Sequence, residues 1–414
     1  GGTTTVESGG IMNINGSGST SYTSTINGGL TNDGQINLNR VSYYGGNGNL
    51  AYTGGDLEGS GDINVSSNAI LTLTNNPDLH NNTVHLNGGV LRAPNGYTGG
   101  ETIGYGKVKG TLGGPISVSD GTMMFEDTST TISSTGTMDV TGTGTLSMNN
   151  NTLVNNGQLN IKSGGKLEMK QSAIDNTGGG TTTVESGGIM NINGSGSTSY
   201  TSTINGGLTN DGQINLNRVS YYGGLGRLNV EGGLVLGIGS TLNVSDYNSL
   251  TVTGDFDMRI IDEEDFAWGN NSELKLTGGV EAALNDWDQW ARLEIGGMDS
   301  GASTGYDNNF DMFELKIGSN AHIFLSDWFN NQNSGSLAEA LYLDDLTLLS
   351  GAYLNLNGLN LYVGGQQITA GQYDYGWIID NEVPNSAVPL PSSLFLFGIG
   401  LLGLFGVAGN KKRA

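Results

Sequence analysis

The chain has 414 residues, enough for two or three ordinary domains or for one elongated repeat body, so length does not fix the number of domains. Its 71 glycines follow no collagen triplet and charged residues make up only 13%, which excludes a triple helix and argues against disorder. The formal net charge of -23 would repel nucleic acid, and the lack of cysteine excludes disulfides and thiolate metal sites.

The chain begins at Gly1, inside a repeat and without an initiator methionine or a signal peptide, so we expect an N-terminal part to be missing. Residues 1–46 recur unchanged as residues 179–224, and the copies diverge at Asn47 and Leu225. Identity at every position exceeds what packing requires, so a recent duplication or an error of sequence assembly explains it better. In either case the segment is a modular repeat unit.

Short triplets, in which two apolar residues flank a polar one, recur along the chain and indicate half-buried β-strands. Gly and Asn lie between the triplets, and these residues accept a positive φ at little cost, so they indicate turns. Some neighbouring triplets begin eight residues apart, as do those at Leu159 and Leu167, which suits short strands joined by tight corners. Further triplets are Ile36-Asn37-Leu38, Ile63-Asn64-Val65, Leu242-Asn243-Val244, Leu274-Lys275-Leu276 and Leu293-Glu294-Ile295.

Two architectures share this periodicity, a parallel β-solenoid and an antiparallel sandwich or barrel, and spacing alone does not separate them. The run of Gly, Asn and Thr corners resembles the β-helices of bacterial autotransporters and haemagglutinin-like adhesins. We therefore predict an all-β fold, a right-handed parallel β-solenoid over most of residues 1–365, with antiparallel β-sandwich domains as the alternative. Asn and Thr side chains stacked at equivalent corners are expected to form hydrogen-bond ladders.

Aromatic composition changes near residue 255, because no Trp and a single Phe precede it, whereas five Trp residues follow. Aromatic side chains bury large areas, so we expect a thicker core in the C-terminal part. The domain prediction is solenoid repeats over residues 1–254, C-terminal β-rungs and a cap over 255–375, a linker over 376–387 and a separate tail over 388–414.

The tail has a proline-containing motif, an apolar run and a basic end, in the order of a C-terminal sorting signal. An apolar run of about eighteen residues reaches roughly 27 Å as a helix, which would just span a thin bilayer with the basic end in the cytoplasm. The assigned residues are Val388, Pro389, Leu390 and Pro391 for the sorting motif, Ser392, Leu394, Phe395, Leu401, Leu404 and Gly409 for the transmembrane helix, and Lys411, Lys412 and Arg413 for the basic stop.

This tail resembles the PEP-CTERM family, although Leu390 stands where that family usually has Glu. The resemblance implies recognition by an exosortase of a Gram-negative bacterium, cleavage near Val388 to Pro391, and transfer of the body from the inner membrane to the cell surface or extracellular matrix. We expect one helix over Ser392 to Gly409 with few contacts to the body, preceded by an extended, mobile connector. An ordinary C-terminal membrane anchor is the alternative.

Residue types that bind metals occur without the spacing of a known site. His80, His85 and His322 do not match a zinc motif. The acidic residues between Asp255 and Asp265 offer oxygen ligands for Ca²⁺, but the spacing and central Gly of an EF-hand are absent. We therefore assign no metal and no cofactor, and keep Ca²⁺ as a lesser alternative.

Asp286, Asp288 and Arg292, which lie beside two Trp residues, are the candidates for polysaccharide cleavage by a β-helix enzyme. A short amphipathic turn packed on the core explains the same residues better. We therefore predict a non-enzymatic surface or biofilm-matrix protein that acts as a stalk, an adhesin or an exopolysaccharide-associated scaffold. The alternatives are a polysaccharide-active β-helix enzyme and a carbohydrate-binding module that uses exposed Trp side chains between residues 268 and 328.

Overall fold

The structure of the protein, a computed structural model, shows a parallel β-solenoid of about 15 turns. Helical structure in the described residues is limited to two 3-10 helices, η1 (Glu263–Asp265) and η2 (Trp287–Gln289). The predicted all-β parallel solenoid is therefore confirmed and the antiparallel sandwich is wrong, whereas the right hand of the coil stays a prediction. The described residues are 2–41, 45–219, 223–280, 283, 286–306, 309–331 and 339–381.

The N-terminal part contains thirteen strands, joined across turns by parallel ladders. They are β1 (Thr3–Val6), β2 (Ile11–Asn15), β3 (Tyr22–Ile26), β4 (Gly29–Asn32), β5 (Gln35–Asn39), β6 (Gly48–Tyr52), β7 (Leu57–Glu58), β8 (Asp62–Ser66), β9 (Ile70–Leu73), β10 (Thr83–Ala93), β11 (Glu101–Leu112), β12 (Pro115–Val118) and β13 (Thr122–Ile132). Strand β10 is long enough to pair with both β8 and β9, so it contributes to two faces of the solenoid.

The middle part is the most regular, since three strands make each turn. They are β14 (Thr137–Val140), β15 (Thr145–Asn149), β16 (Thr152–Asn155), β17 (Gln158–Ile161), β18 (Lys166–Lys170), β19 (Ala173–Asp175), β20 (Thr181–Val184), β21 (Ile189–Asn193), β22 (Tyr200–Asn205), β23 (Leu208–Asn210), β24 (Gln213–Asn217), β25 (Gly226–Glu231), β26 (Leu234–Leu236), β27 (Thr241–Val244) and β28 (Ser249–Val252). Each strand from β14 to β25 pairs in parallel with the strand three places further along the chain.

The C-terminal part continues the same stack with longer connections. Its strands are β29 (Phe256–Met258), β30 (Phe266–Trp268), β31 (Glu273–Leu276), β32 (Ala291–Glu294), β33 (Gly297–Met298), β34 (Met312–Ile317), β35 (His322–Ser326), β36 (Glu339–Leu348), β37 (Tyr353–Asn355), β38 (Asn360–Val363), β39 (Gln366–Ile368), β40 (Gly371–Tyr373) and β41 (Gly376–Ile379). Between named strands of the described chain, antiparallel ladders join β33 to β36, β38 to β39 and β40 to β41.

Side chains along the strands alternate between the interior and the outer surface, as the triplets predict. In β18, Leu167 and Met169 are buried and Lys166 faces solvent. Interior residues of successive turns lie in register, so the core is a series of apolar stacks along the solenoid axis. One stack consists of Leu146, Leu167, Met190, Ile214 and Leu242, all fully buried.

Asparagine ladders join the turns, at corners as predicted and also along the outer face of the strands. At a corner, Asn155 donates a hydrogen bond of 2.8 Å to Asn176. On the outer face, Asn215 donates to Asn191 and Asn243 donates to Asn215, each over 2.8 Å. Because a carboxamide both donates and accepts, one residue type can repeat the same bond from turn to turn.

The aromatic-richer part is stacked directly on the repeats. Leu234 of β26 lies in parallel register with Phe256 of β29, so the ladder continues across residue 255. Phe256 and Phe266 are buried in the interior, and the rings of Tyr342 and Tyr362 stack 4.9 Å apart. Phe256 and Phe266 thus belong to the same interior cluster as the repeats, whereas Tyr342 and Tyr362 form a separate small cluster with Ala340.

Candidate functional site

The predicted sorting tail lies outside the described residues, which end at residue 381. This applies to the motif Val388 to Pro391, the apolar run Ser392 to Gly409 and the basic stop Lys411 to Arg413. Among the residues that the structure describes, no helix has the length and apolar character needed to cross a membrane.

The solenoid extends into the segment assigned to the linker. Gly376–Ile379 form β41, which pairs in parallel with β37 and antiparallel with β40. Trp377 lies beside Tyr353 in the first ladder, and Ile378 is buried. The predicted linker over residues 376–387 is therefore wrong at its start, because residues 376–379 are a strand of the solenoid.

Asp286 and Arg292, two of the residues considered for polysaccharide cleavage, interact with different partners. Asp286 accepts a hydrogen bond from Gln289 within its own turn. Arg292 lies instead on β32, where its guanidinium is 3.2 Å from Asp257 and 4.0 Å from Asp255. Asp286 and Arg292 therefore belong to separate networks.

The tryptophans between residues 268 and 328 differ in exposure. Trp290 is buried, its ring lies 4.7 Å from that of Trp287 and 4.8 Å from that of His322, and its indole N–H donates to Ala283. The turn that carries these two tryptophans thus packs against the body. Trp328 is 41% exposed.

A charged network covers the outer face of β29 and β32. Asp257 receives two hydrogen bonds from Arg259, the shorter at 2.7 Å, and also faces Arg292. The hydrogen bond to Asp257 raises the pKa of Arg259. The guanidinium carbon of Arg292 lies 4.3 Å from the ring centroid of Trp328, which belongs to the loop after β35. This cation–π contact holds that loop against the sheet.

The loop at residues 326–331 covers a carboxyl group, that of Glu294, which lies on the outer face of β32. Glu294 is 1% exposed and accepts hydrogen bonds from the hydroxyl of Ser326 and, over 2.6 Å, from the backbone N–H of Phe329. Burial raises the pKa of Glu294, and these two bonds oppose that rise.

A second buried carboxyl, Glu339, begins β36 next to the same loop. It is 1% exposed and accepts a 2.8 Å hydrogen bond from the backbone N–H of Asn331. Burial, reinforced by the nearby charges of Asp327 and Glu294, raises the pKa of Glu339 to about 8. Its other carboxyl oxygen, Oε2, is buried and has no hydrogen-bond partner among the described residues, which also disfavours the charged form.

Glu294, Asp327 and Glu339, which we call the cap carboxyl cluster, hold the loop at residues 326–331 against the sheet. Glu294 and Glu339 are shielded from solvent, and Asn331 between them donates its side-chain N–H to the backbone oxygens of Met258 and Ile260. General acid–base catalysis requires the catalytic carboxyl to reach a substrate. The geometry of the cluster instead fits attachment of the loop at residues 326–331 to the sheet.

The acidic residues considered as Ca²⁺ ligands each bind a different protein group. Asp255 accepts from the backbone N–H of Arg292, Asp262 caps the 3-10 helix η1, and Asp265 accepts from Thr241. In the described part of the chain, no three His, Asp or Glu side chains are placed to hold one metal ion.

Comparison with known proteins supports the assignment of the tail. Residues 387–412 match the model of the PEP-CTERM protein-sorting motif. No curated protein matches the chain. One similar solved structure is the crystal structure of a TibC-catalyzed hyper-glycosylated TibA55-350 fragment, at 12% identity and a TM-score of 0.26, covering 84% of this chain and 97% of that chain. Nothing about the function of this chain follows from a similarity at that TM-score.

Proposed function

We propose that this chain, which carries a PEP-CTERM sorting motif at residues 387–412, is an exported structural protein of a Gram-negative cell surface or biofilm matrix. The motif itself implies export, sorting to the cell surface and processing by an exosortase. The match to this motif is the observation that carries the proposal. In the sequence, the motif follows a solenoid whose last described strand ends at Ile379.

The role proposed for the body is that of a stalk, an adhesin or an exopolysaccharide-associated scaffold without enzymatic activity. About 15 turns, spaced by about 4.8 Å as in any sheet, give a body roughly 70 Å long. Because each turn contacts its neighbours, repeats can be added without remaking a central core. The identical segments 1–46 and 179–224 fit this kind of growth.

The role proposed for the tail is transient anchoring. Ser392 to Gly409 would span the inner membrane as one helix, and Lys411, Lys412 and Arg413 would hold its end in the cytoplasm. Cleavage near Val388 to Pro391 would then free the body from the membrane.

A double substitution tests this role of the tail. We expect Pro389→Ala with Pro391→Ala, in a Gram-negative host that has the matching exosortase, to leave the tail uncleaved and the body in the membrane fraction. The motif then lacks its prolines, while the apolar run is unchanged. Cell fractionation and intact mass measure the outcome.

Pro384→Ala is the matched control, because Pro384 lies just before residues 387–412. This variant should be cleaved and released like the wild-type chain. Normal release of the double variant would contradict processing through this motif, and retention of the tail by the wild-type chain itself would favour an ordinary membrane anchor.

A further inference from the structure

Tyr247 occupies a corner position where a bulky side chain is out of place. It lies between β27 and β28 with a φ of 63°, in the left-handed region, and is 52% exposed. The corresponding corners of other turns have Asn150, Gln171 and Asn271, also at positive φ. Asn tolerates this conformation, whereas an aromatic residue there is strained. Strain of this kind persists at sites where the side chain has a use.

A groove of about 270 Å³ lies beside Tyr247. Its outer-face residues come from successive turns, since Ser249 of β28, Glu273 of β31 and Glu314 of β34 are in direct parallel register. The groove, which we call the Tyr247 groove, is lined by Arg227, Tyr247, Asn248, Ser249, Asn271, Glu273 and Glu314. The groove thus places an exposed aromatic ring beside hydrogen-bond donors and acceptors, which repeat at the distance between neighbouring strands.

The polar groups of the groove are held in place but keep free hydrogen-bonding capacity. Glu273 accepts from the Ser249 hydroxyl over 2.9 Å and lies 3.5 Å from the Lys316 ammonium group. Glu314 accepts from the Thr347 hydroxyl over 3.1 Å. A carboxylate has about four acceptor positions, so both can accept further bonds from a ligand.

The aromatic ring is fixed in the same way. The guanidinium carbon of Arg218 lies 4.9 Å from the ring centroid of Tyr247, and one of its nitrogens is 3.9 Å from Asp246. A cation near the ring and a backbone fixed by the corner both restrict the side chain. The ring is therefore preorganised, which lowers the entropy lost when a ligand packs on it.

We propose that the Tyr247 groove binds a neutral saccharide chain. The weakly positive C–H groups of a pyranose ring pack on the negative face of an aromatic ring. Sugar hydroxyls would donate to Glu273 and Glu314 and accept from Arg227. The carboxylates and the overall charge of -23 disfavour a polymer of uronic acids. This inference builds on the proposed surface role, for which it names a ligand class and a site.

The test uses the full chain in mild detergent, titrated calorimetrically with cellohexaose, laminarihexaose and chitohexaose, and with an alginate oligomer of similar length. We expect at least one neutral hexasaccharide to bind. Tyr247→Asn should weaken that binding about tenfold or more, because aromatic anchors dominate such sites. Its melting temperature should not fall, because Asn suits this corner.

Two variants separate loss of the ring from loss of the fold. Tyr247→Phe keeps the ring and should bind like the wild-type chain. Tyr22→Asn removes a tyrosine that is 53% exposed on β3, away from the groove, and should also bind normally. Failure of all three neutral sugars to bind, unchanged affinity of Tyr247→Asn, or preference for alginate would overturn the proposal. These results do not depend on tail cleavage, so the surface role is tested separately.

Discussion

Replacing Glu339 with Gln should stabilise the protein at pH 9 and leave its stability at pH 5 nearly unchanged. The folded state raises the pKa of Glu339 to about 8 from an ordinary value of 4.5. The protonated carboxyl therefore supports the fold fully below pH 4.5, and this contribution is lost as the pH rises through 8. Gln keeps an oxygen that can accept from the Asn331 N–H, and it carries no charge at any of these pH values.

The expected gain for Glu339→Gln at pH 9 is at most about 5 kcal/mol, the free energy that corresponds to a change in pKa from 4.5 to about 8. Urea unfolding at pH 5, 7 and 9, followed by tryptophan fluorescence, measures it, since all five tryptophans lie in the C-terminal part. Glu101→Gln, at an exposed position, is the control for the change in net charge. Equal stability of Glu339→Gln and the wild-type chain at pH 9 would contradict the raised pKa of Glu339.

Replacing Ile214 with Ala should destabilise the middle of the solenoid by about 2–5 kcal/mol, the usual cost of a cavity left by a large buried side chain. Ile214 is fully buried and lies in register with Met190 on one side and Leu242 on the other. The cavity would interrupt the apolar stack between adjacent turns. Urea unfolding followed by far-ultraviolet circular dichroism measures the loss.

Gln213→Ala is the matched control, because Gln213 is the preceding residue of β24 and faces the outer surface. It should change the stability by less than about 0.5 kcal/mol. The duplication offers a second comparison, since Ile36 holds the same position in the first copy and is also fully buried. A loss for Ile214→Ala as small as that for Gln213→Ala would contradict the inward orientation of β24.

The strands and much of the architecture could be predicted because their causes are local. The triplet Leu167-Glu168-Met169 became β18, with its two apolar residues inside, and the neighbouring Gly164 supplies a corner with a φ of 78°. Alternation and turn residues are both visible in a short window of sequence. The choice between parallel and antiparallel pairing rested on resemblance, because both pairings use the same alternation.

The cap carboxyl cluster could not be predicted because burial there depends on distant segments. The triplet Leu293-Glu294-Ile295 correctly places Glu294 on the outer face, but the loop after β35 then covers that face. Glu339 is buried by the same loop, which it contacts through Asn331. Local periodicity carries no information about which outer face a loop will cover.

Tyr247 was missed for a different reason, although the sequence contained a signal. It follows the triplet Leu242-Asn243-Val244 by three residues, at a corner where other turns have Asn or Gln. Comparing corner positions between turns would have identified it as the exception, whereas a search for catalytic motifs does not consider corners. The exposed ring became evident as part of a groove only when β28, β31 and β34 were placed side by side.

The C-terminal residue of the wild-type chain at the cell surface tests the central claim most directly. The chain should be produced in a Gram-negative host with its exosortase, recovered from the surface or the medium, and analysed by intact mass and C-terminal peptide sequencing. Sorting through residues 387–412 predicts a chain that ends between residues 387 and 391 and lacks Ser392 to Ala414. A surface chain that still carries the apolar run and Lys411, Lys412 and Arg413 would contradict it.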